Sequence, residues 1–331
     1  MATLGTTALT LEDAVRRMEP DGKIAKIVDI LNRTNEVLAD QLFVEGNLPT
    51  GHRTTVRSGL PTVAWRLLNY GVQPSKSTTV QVDDTCGMLE AYAEVDKDLA
   101  ELNGNVAEFR LSEDAAFLEA MNQEYANVLF YGNTGIDPEK FLGLAPRYST
   151  KSGADNGNNI ILGGGSGSNN CSAWLVVWGP NTVHGIYPKG SVGGLKSQDL
   201  GEQTIIDSAG GRFQGYRTHY KWNVGLSLRD WRYVVRIANI DVPALTKNAA
   251  SGADLIDVMT QAIEKVPSLS MGRPVFYVPG ILRSFLRRQI MNKVAASTLT
   301  MDMVAGKKVL SFDEIPVRRS DALRINEATI S

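Results

Sequence analysis

The chain is poor in the residues from which chemistry is usually built. Cysteine occurs twice in 331 residues, at Cys86 and Cys171. Two thiols in unrelated contexts make no disulfide framework, so a reducing setting and free thiols are expected. Histidine occurs three times, as His52, His184 and His219, and no two are spaced as a metal pair would be. No metal and no cofactor are therefore expected. Neither charge sign dominates: 34 Lys and Arg stand against 36 Asp and Glu, a net charge of −2. That excludes a nucleic-acid binder working through overall basicity. No apolar run approaches the roughly 18 residues that span a bilayer, and Met1 to Thr7 shows no basic segment leading into an apolar one. Neither a membrane partner nor a secretory leader is expected.

Catalytic readings fail on their patterns. Gly163-Gly164-Gly165-Ser166-Gly167-Ser168 suggests a phosphate cradle but lacks the Gly-Lys-Ser/Thr ending that supplies the lysine and the metal-bound hydroxyl. It misses the nucleophile-elbow pattern too, because Ser168 stands where the second glycine belongs. Asp83-Asp84 and Glu113-Asp114 fall at a turn and a helix start, where acids serve structure. An enzyme is not expected. Two alternatives remain open. One is an α+β hydrolase or transferase using the glycine-rich loop. The other is a carbohydrate-binding module of a phage tail or adhesin, using Trp174, Trp178, Trp222 and Trp231.

What the chain does have is a globular composition, 43% apolar and 21% charged, enough for a sizeable core. The first 45 residues read as helical. Thr10 can cap a segment through Met18, and Ile24, Ile27, Val28, Leu31, Leu38 and Leu42 make one apolar stripe. Arg53 to Arg57, Thr62 to Leu68 and Ser75 to Val82 are β-prone runs between turn signals. They are too polar to hold a core of their own, and such hairpins are marginal alone. Met88 to Val95 predicts a further strand, with Asp96 capping a helix over Lys97 to Leu102. Ser112-Glu113-Asp114 opens the clearest helix, with Phe117, Leu118, Met121, Tyr125, Val128 and Leu129 as its apolar face and Gly132-Asn133 as its stop. Ser149 to Asn170 reads as a long loop. Strands are predicted over 173–178, 184–187, 215–227 and 231–241, with the alternation of half-buried antiparallel strands in Tyr216 to Trp222 and Tyr233 to Ile237, then over 275–278 and 309–318. Helices are predicted over 253–266 and 280–292. On the last of these, Arg283, Arg287 and the adjacent Arg288 share one side.

Three segments, in order, resemble the major capsid family of tailed bacteriophages. Leu89 to Ala100 resembles the return of that family's extended loop. Tyr131-Gly132-Asn133-Thr134-Gly135, with Pro138 and Phe141 to Leu144, resembles the exit of its spine helix. Ile315-Pro316-Val317-Arg318-Arg319-Ser320-Asp321-Ala322 resembles its Pro-Val strand. Glu314 stands where the family often has glycine.

The resemblance implies an α+β chain of the Hong Kong 97-type capsid fold, its element order open to rearrangement. Residues 1–46 would form an N-terminal arm and residues 47–95 an extended hairpin loop. Residues 96–242 would form a peripheral domain, with spine helix 112–131 on long strands 173–241, and residues 243–331 an axial domain. The familiar order puts long strands after the Pro-Val motif, but few residues remain there, so strands 173–241 are expected beneath the spine helix. The implied function is self-assembly into hexamers and pentamers of an icosahedral shell around phage double-stranded DNA. The partners would be further copies of the chain, portal, scaffolding and decoration proteins, and DNA held non-specifically on the inner face. The implied location is the virion, with the host cytoplasm during assembly. Arg53, Arg57, Trp65, Arg66, Arg283, Arg287 and Arg288 are the subunit-contact candidates.

Overall fold

The computed structural model describes residues 35–102, 105–207, 209–245, 253–291, 299–304 and 307–331. The helix expected over residues 10–18 and most of the apolar-stripe helix lie outside these residues. Of the stripe helix the described residues hold the single turn Val37–Asp40; Gln41 is extended, Leu42 lies outside the helix and Phe43–Glu45 is a strand, which corrects the helical reading at its end.

Among the described residues thirteen strands follow in chain order. β1 is Phe43–Glu45, β2 Gly51–Gly59, β3 Thr78–Asp96, β4 Ile160–Leu162, β5 Asn170–Trp178, β6 Val183–Tyr187 and β7 Lys196–Ile206. β8 is Arg212–Leu228, β9 Val234–Asp241, β10 Arg273–Val278, β11 Leu299–Val304, β12 Lys307–Phe312 and β13 Ile315–Arg319. The principal helices are Lys97–Glu101, Val106–Tyr131, Leu255–Lys265 and Gly280–Met291. Two compact units are present. One contains Met88–Ala126 and Gly194–Asn223; the other contains Thr34–Gly87, Asn127–Gly193 and Val224–Ser331.

In the first unit, β7 and β8 form an antiparallel hairpin with a bulge between Asp199 and Gly201, where Gly201 takes a φ of 70° that glycine adopts without strain. The Asp96 carboxylate accepts from the Asp98 N–H at 2.9 Å and caps helix Lys97–Glu101, as expected. The long helix starts six residues ahead of Ser112. Asn105 accepts from the Glu108 N–H at 3.3 Å, and Glu108 accepts in return from the Asn105 amide, a reciprocal cap. Ser112 instead lies inside the helix and satisfies its hydroxyl on the Phe109 carbonyl at 2.8 Å, so the 112–131 boundary is corrected to Val106–Tyr131.

Val95, Ala100 and Phe109 form a small core in this unit. Met121 and Tyr125 are buried, and Tyr125 packs on Trp222 at 4.5 Å between ring centroids. Leu118 is 39% exposed, so the apolar face of the helix is narrower than its spacing predicts. β8 alternates as expected here, with Thr218, Tyr220 and Trp222 buried. Arg217 and Lys221 face the other way and pair with Glu94 and Glu90 of β3 at 2.6 and 2.5 Å. Half-exposed pairs of this kind contribute little individually.

In the second unit β5 is central. It runs antiparallel to both β9 and β10, and β13 runs parallel to β10. Helices cover one face: Leu175, Val177, Val235 and Ile237 share a core with Leu255, Val258, Met259, Leu282 and Leu286. Aromatics cover the other, where Trp174 lies 6.2 Å from Phe130 and 6.0 Å from Tyr148 between centroids. Both faces of β9 are therefore occupied and every residue from Val234 to Ile240 is buried. This corrects the half-buried reading of 231–241, in which Trp231 to Tyr233 are a separate 3-10 turn. The run 173–241 is divided between the units. β5, β6 and β9 pair within the second, while β7 and Arg212 to Asn223 of β8 belong to the first. β5 finds its partner in β10, a hundred residues further along, and long-range pairing of that kind leaves no trace in local alternation. The 149–170 stretch is likewise not all loop, since β4 within it pairs parallel to β9.

The expected strand over 309–318 is two strands joined by the two-residue turn Asp313-Glu314, with φ of 50° and 65°. A left-handed residue with a side chain costs about 1–2 kcal/mol, which glycine avoids. Glu314→Gly is expected to stabilise the chain by about 0.5–1 kcal/mol after the extra unfolded-state entropy of glycine is counted. Urea unfolding checks this; a loss of stability would refute it.

Candidate assembly interface

The hairpin of β2 and β3 is built on a buried footing. Gly51 pairs with Thr85 and the register runs out to Gly59 opposite Thr78. At the root, Asp84 is 4% exposed. It receives Arg147 at 2.7 Å and the Leu228 N–H at 3.2 Å. His52 and His184 are buried beside it, 5.9 Å apart between ring centroids. A hairpin that buries no core of its own is held by this polar root. One rung further out, Arg53 grips Asp83 through two bonds of 2.6 and 2.7 Å. The hydrogen bond from Arg53 holds the exposed Asp83 carboxyl below its ordinary range.

Beyond the root the chain is open to solvent. Every residue from Leu60 to Asp83 is exposed. The strand expected over 62–68 is absent: residues 60–77 form a loop between β2 and β3. A turn closes it, where Asn69 takes a φ of 70° and the Tyr70 N–H donates to the Leu67 carbonyl at 3.2 Å. The loop carries Leu60, Val63, Trp65, Leu67, Leu68, Tyr70 and Val72, with Trp65 wholly exposed. Concentrated apolar exposure marks a surface made to be covered. Of the contact candidates here, Arg57, Trp65 and Arg66 are free-standing and exposed, while Arg53 is engaged by Asp83 within its own hairpin. The other apolar loop residues were overlooked in the sequence. Their signal was the run Val63 to Leu68 lying between Ser58-Gly59-Leu60-Pro61 and Asn69-Tyr70-Gly71.

The second group of candidates lies on helix Gly280–Met291. Leu282 and Leu286 anchor that helix in the core. Arg283 is half-buried and Arg287 and Arg288 are exposed. Arg288 lies over the Phe285 ring at 4.4 Å. Burial, followed by the Arg287, Arg319 and Arg318 charges, lowers the pKa of Arg283, with Glu36 acting the other way.

The features behind the alternative readings are used structurally. The Gly163 and Gly165 N–H groups donate to the Ala238 and Asn239 carbonyls at 2.8 and 2.7 Å. A Cβ on Gly165 would lie 2.7 Å from the Asn239 carbonyl oxygen. These glycines let the backbone press against β9 rather than cradle a phosphate. Trp174, Trp178 and Trp222 are buried, so they offer no sugar platform. Among the described residues no group of three His, Cys, Asp or Glu could hold a metal ion, and no helix is long and apolar enough to cross a membrane.

A sequence model of the family "Major capsid protein GP7" matches residues 19–331. A chain in the near-atomic cryo-EM structure of bacteriophage Epsilon15 is 40% identical, with a TM-score of 0.79, covering 100% of this chain and 99% of that one. A chain of the bacteriophage JBD30 capsid, 10% identical with a TM-score of 0.50 and covering 89% and 93% of the two chains, shares the fold. No curated protein matches. The chain belongs to the GP7 family of major capsid proteins: it is a structural shell protein of tailed-phage type with the Hong Kong 97-like α+β fold, and not an enzyme.

Proposed function

We propose that residues 60–77 are the part of this capsid protein that reaches onto a neighbouring copy as hexamers and pentamers close into a shell. The carrying observation is the run of seven large apolar side chains exposed on a hairpin whose root is buried and ion-paired. Stable interfaces bury about 1,600 Å² in total and concentrate their energy in Trp, Tyr and Arg. Trp65 flanked by Arg57 and Arg66 has that composition. Arg53 serves differently, tying β2 to β3 across the hairpin through Asp83.

In this reading residues 1–46 act as an arm, 47–95 as the extended loop, 96–242 as the peripheral domain and 243–331 as the axial domain. The shell encloses double-stranded DNA and forms in the host cytoplasm with portal, scaffolding and decoration proteins.

The test removes residues 60–77 and joins Gly59 to Thr78 through a two-residue glycine turn, since those two residues already face each other across the hairpin. The expected product is a folded subunit with its melting temperature nearly unchanged and no shells by electron microscopy. Shells of normal size from this variant would overturn the proposal.

A further inference from the structure

We propose that the arginine face of helix Gly280–Met291, formed by Arg283, Arg287 and Arg288, binds the phosphate backbone of nucleic acid without reading its sequence. This rests on the reading above that the shell encloses double-stranded DNA, and it reassigns these three residues from subunit contact to that ligand.

The twelve residues of this helix carry three arginines and no acid. Among the described residues none of the three has a carboxylate partner. Nearby arginines are treated differently. Arg318 of β13 pairs with Glu36 at 2.9 Å and Asp40 at 3.3 Å, and Arg319 pairs with Asp321 at 2.7 Å. The acids of the neighbourhood are thus spent on β13, and the positive excess is left on the helix. In a chain whose net charge is −2, that excess is a local arrangement rather than a general basicity.

The placement suits a phosphate chain. Leu282 and Leu286 fix the helix on the core, so the guanidiniums project from a rigid rod. Arg283 and Arg287 are one turn apart, about 6 Å along the axis. Guanidinium forks match phosphate oxygens in pairs. Among the described residues of this helix the aromatic is Phe285, half-buried and covered by Arg288, so it offers no open ring for base stacking. A protein partner would have to supply carboxylates at matching spacing. A nucleic-acid strand supplies a charge at every step and needs no register.

The test compares the intact chain with the triple variant R283Q/R287Q/R288Q and a charge-matched control, K189Q/K196Q/R212Q, three exposed cations on and just before the β7–β8 hairpin. Binding of a fluorescent random-sequence duplex is followed by anisotropy from about 50 to 200 mM salt. Shell formation is scored separately by electron microscopy. The helix variant should bind at least ten-fold more weakly at low salt, with the salt slope reduced by about 2–3, near 0.9 for each lost phosphate contact. The hairpin control should bind as the intact chain does, and R283K/R287K/R288K should recover most of the lost affinity, which separates charge from misfolding. The proposal is overturned if the intact chain does not bind the duplex, if the helix variant binds equally well, or if the hairpin control loses as much. A helix variant that binds DNA normally but forms no shells would show that these arginines are subunit contacts after all. Failure of the intact chain to form shells would count against the assembly reading, not against this one.

Discussion

Glu327→Ala is expected to destabilise the subunit by about 3–5 kcal/mol, the largest effect of any single truncation considered for this chain. Glu327 and Arg236 form an ion pair at 2.7 Å with side chains 7% and 6% exposed. The hydrogen-bonding groups that face the pair are engaged by it. Arg236 donates to Ser172 Oγ at 3.1 Å and to the Tyr148 carbonyl at 2.9 Å, and its guanidinium lies 5.0 Å from the Trp174 ring centroid. Ser172 and Tyr131 each donate a hydroxyl to the Glu327 carboxylate. Burial and that carboxylate together raise the Tyr131 phenol well above its ordinary pKa. Truncating Glu327 leaves a guanidinium and two hydroxyls buried without their acceptor, and the desolvation cost of those groups is then uncompensated. The same residue holds the end of the chain: its N–H donates to the Asn170 carbonyl at 2.8 Å, beside the mutual bonds between Ile330 and Asn239. Urea unfolding gives the number. Glu327→Gln should lose less, because an amide oxygen still accepts. The pair Arg236→Met with Glu327→Leu should recover a large part of the loss, since a matched apolar replacement leaves no orphaned charge. Equal stability of Glu327→Ala and the intact chain would show that this cluster is not the anchor described.

That cluster also shows where sequence reading stopped. Asp96 and its helix were legible because a cap is a local event: the acid and the N–H it accepts are two residues apart. The long helix was legible in kind but not in its start, since Asn105 with Glu108 caps as well as Ser112 with its following acids would, and only packing chooses between them. The Asp313-Glu314 turn hid inside a continuous β-prone run because neither residue is glycine. Buried charge was wholly illegible. Arg236, Glu327, Asp84 and Arg147 look like any solvated residue, and their partners lie 63 to 91 residues away. The assembly surface was half legible. Polar, core-poor composition over residues 47–95 pointed to a segment resting on something else, but β-prone residues between turn signals suggested a strand over 62–68. Those apolar residues obey no in-chain period because, among the described residues, nothing packs on them.

Acid should loosen the hairpin root, and His184 should be a large part of the reason. Its side chain is fully buried, and neither ring nitrogen makes a well-formed hydrogen bond, the Gly179 backbone offering a weak one. Burial, then the charges of Arg229 and of His52, lower its pKa to about 4, with the Gly179 backbone and Asp84 pulling the other way. His52 is also lowered, by burial and then by Arg229, against Asp84. The Arg229 guanidinium lies 3.2 Å from His52 Nε2, and Arg147 is already occupied by Asp84, so a proton arriving here finds two cations and no free carboxylate. The folded state therefore keeps His184 neutral where the unfolded chain would bind a proton. Stability is unaffected above about pH 6.5, falls as the pH drops through the interval from 6.5 to about 4, and by pH 4 is lower by roughly 3 kcal/mol on account of this residue. Carboxylates elsewhere add their own acid loss, so the measurement is a difference: urea unfolding of the intact chain and of His184→Leu at pH 7, 5 and 4. The variant has nothing to titrate at this position, and its stability should fall less steeply over that interval. The hairpin root should open first, seen as faster amide exchange at His52 and Thr85 in the intact chain but not in the variant. Parallel pH curves for the two proteins would mean that His184 finds a proton-accepting partner in the fold, and the buried imidazole could not then be the source of acid sensitivity.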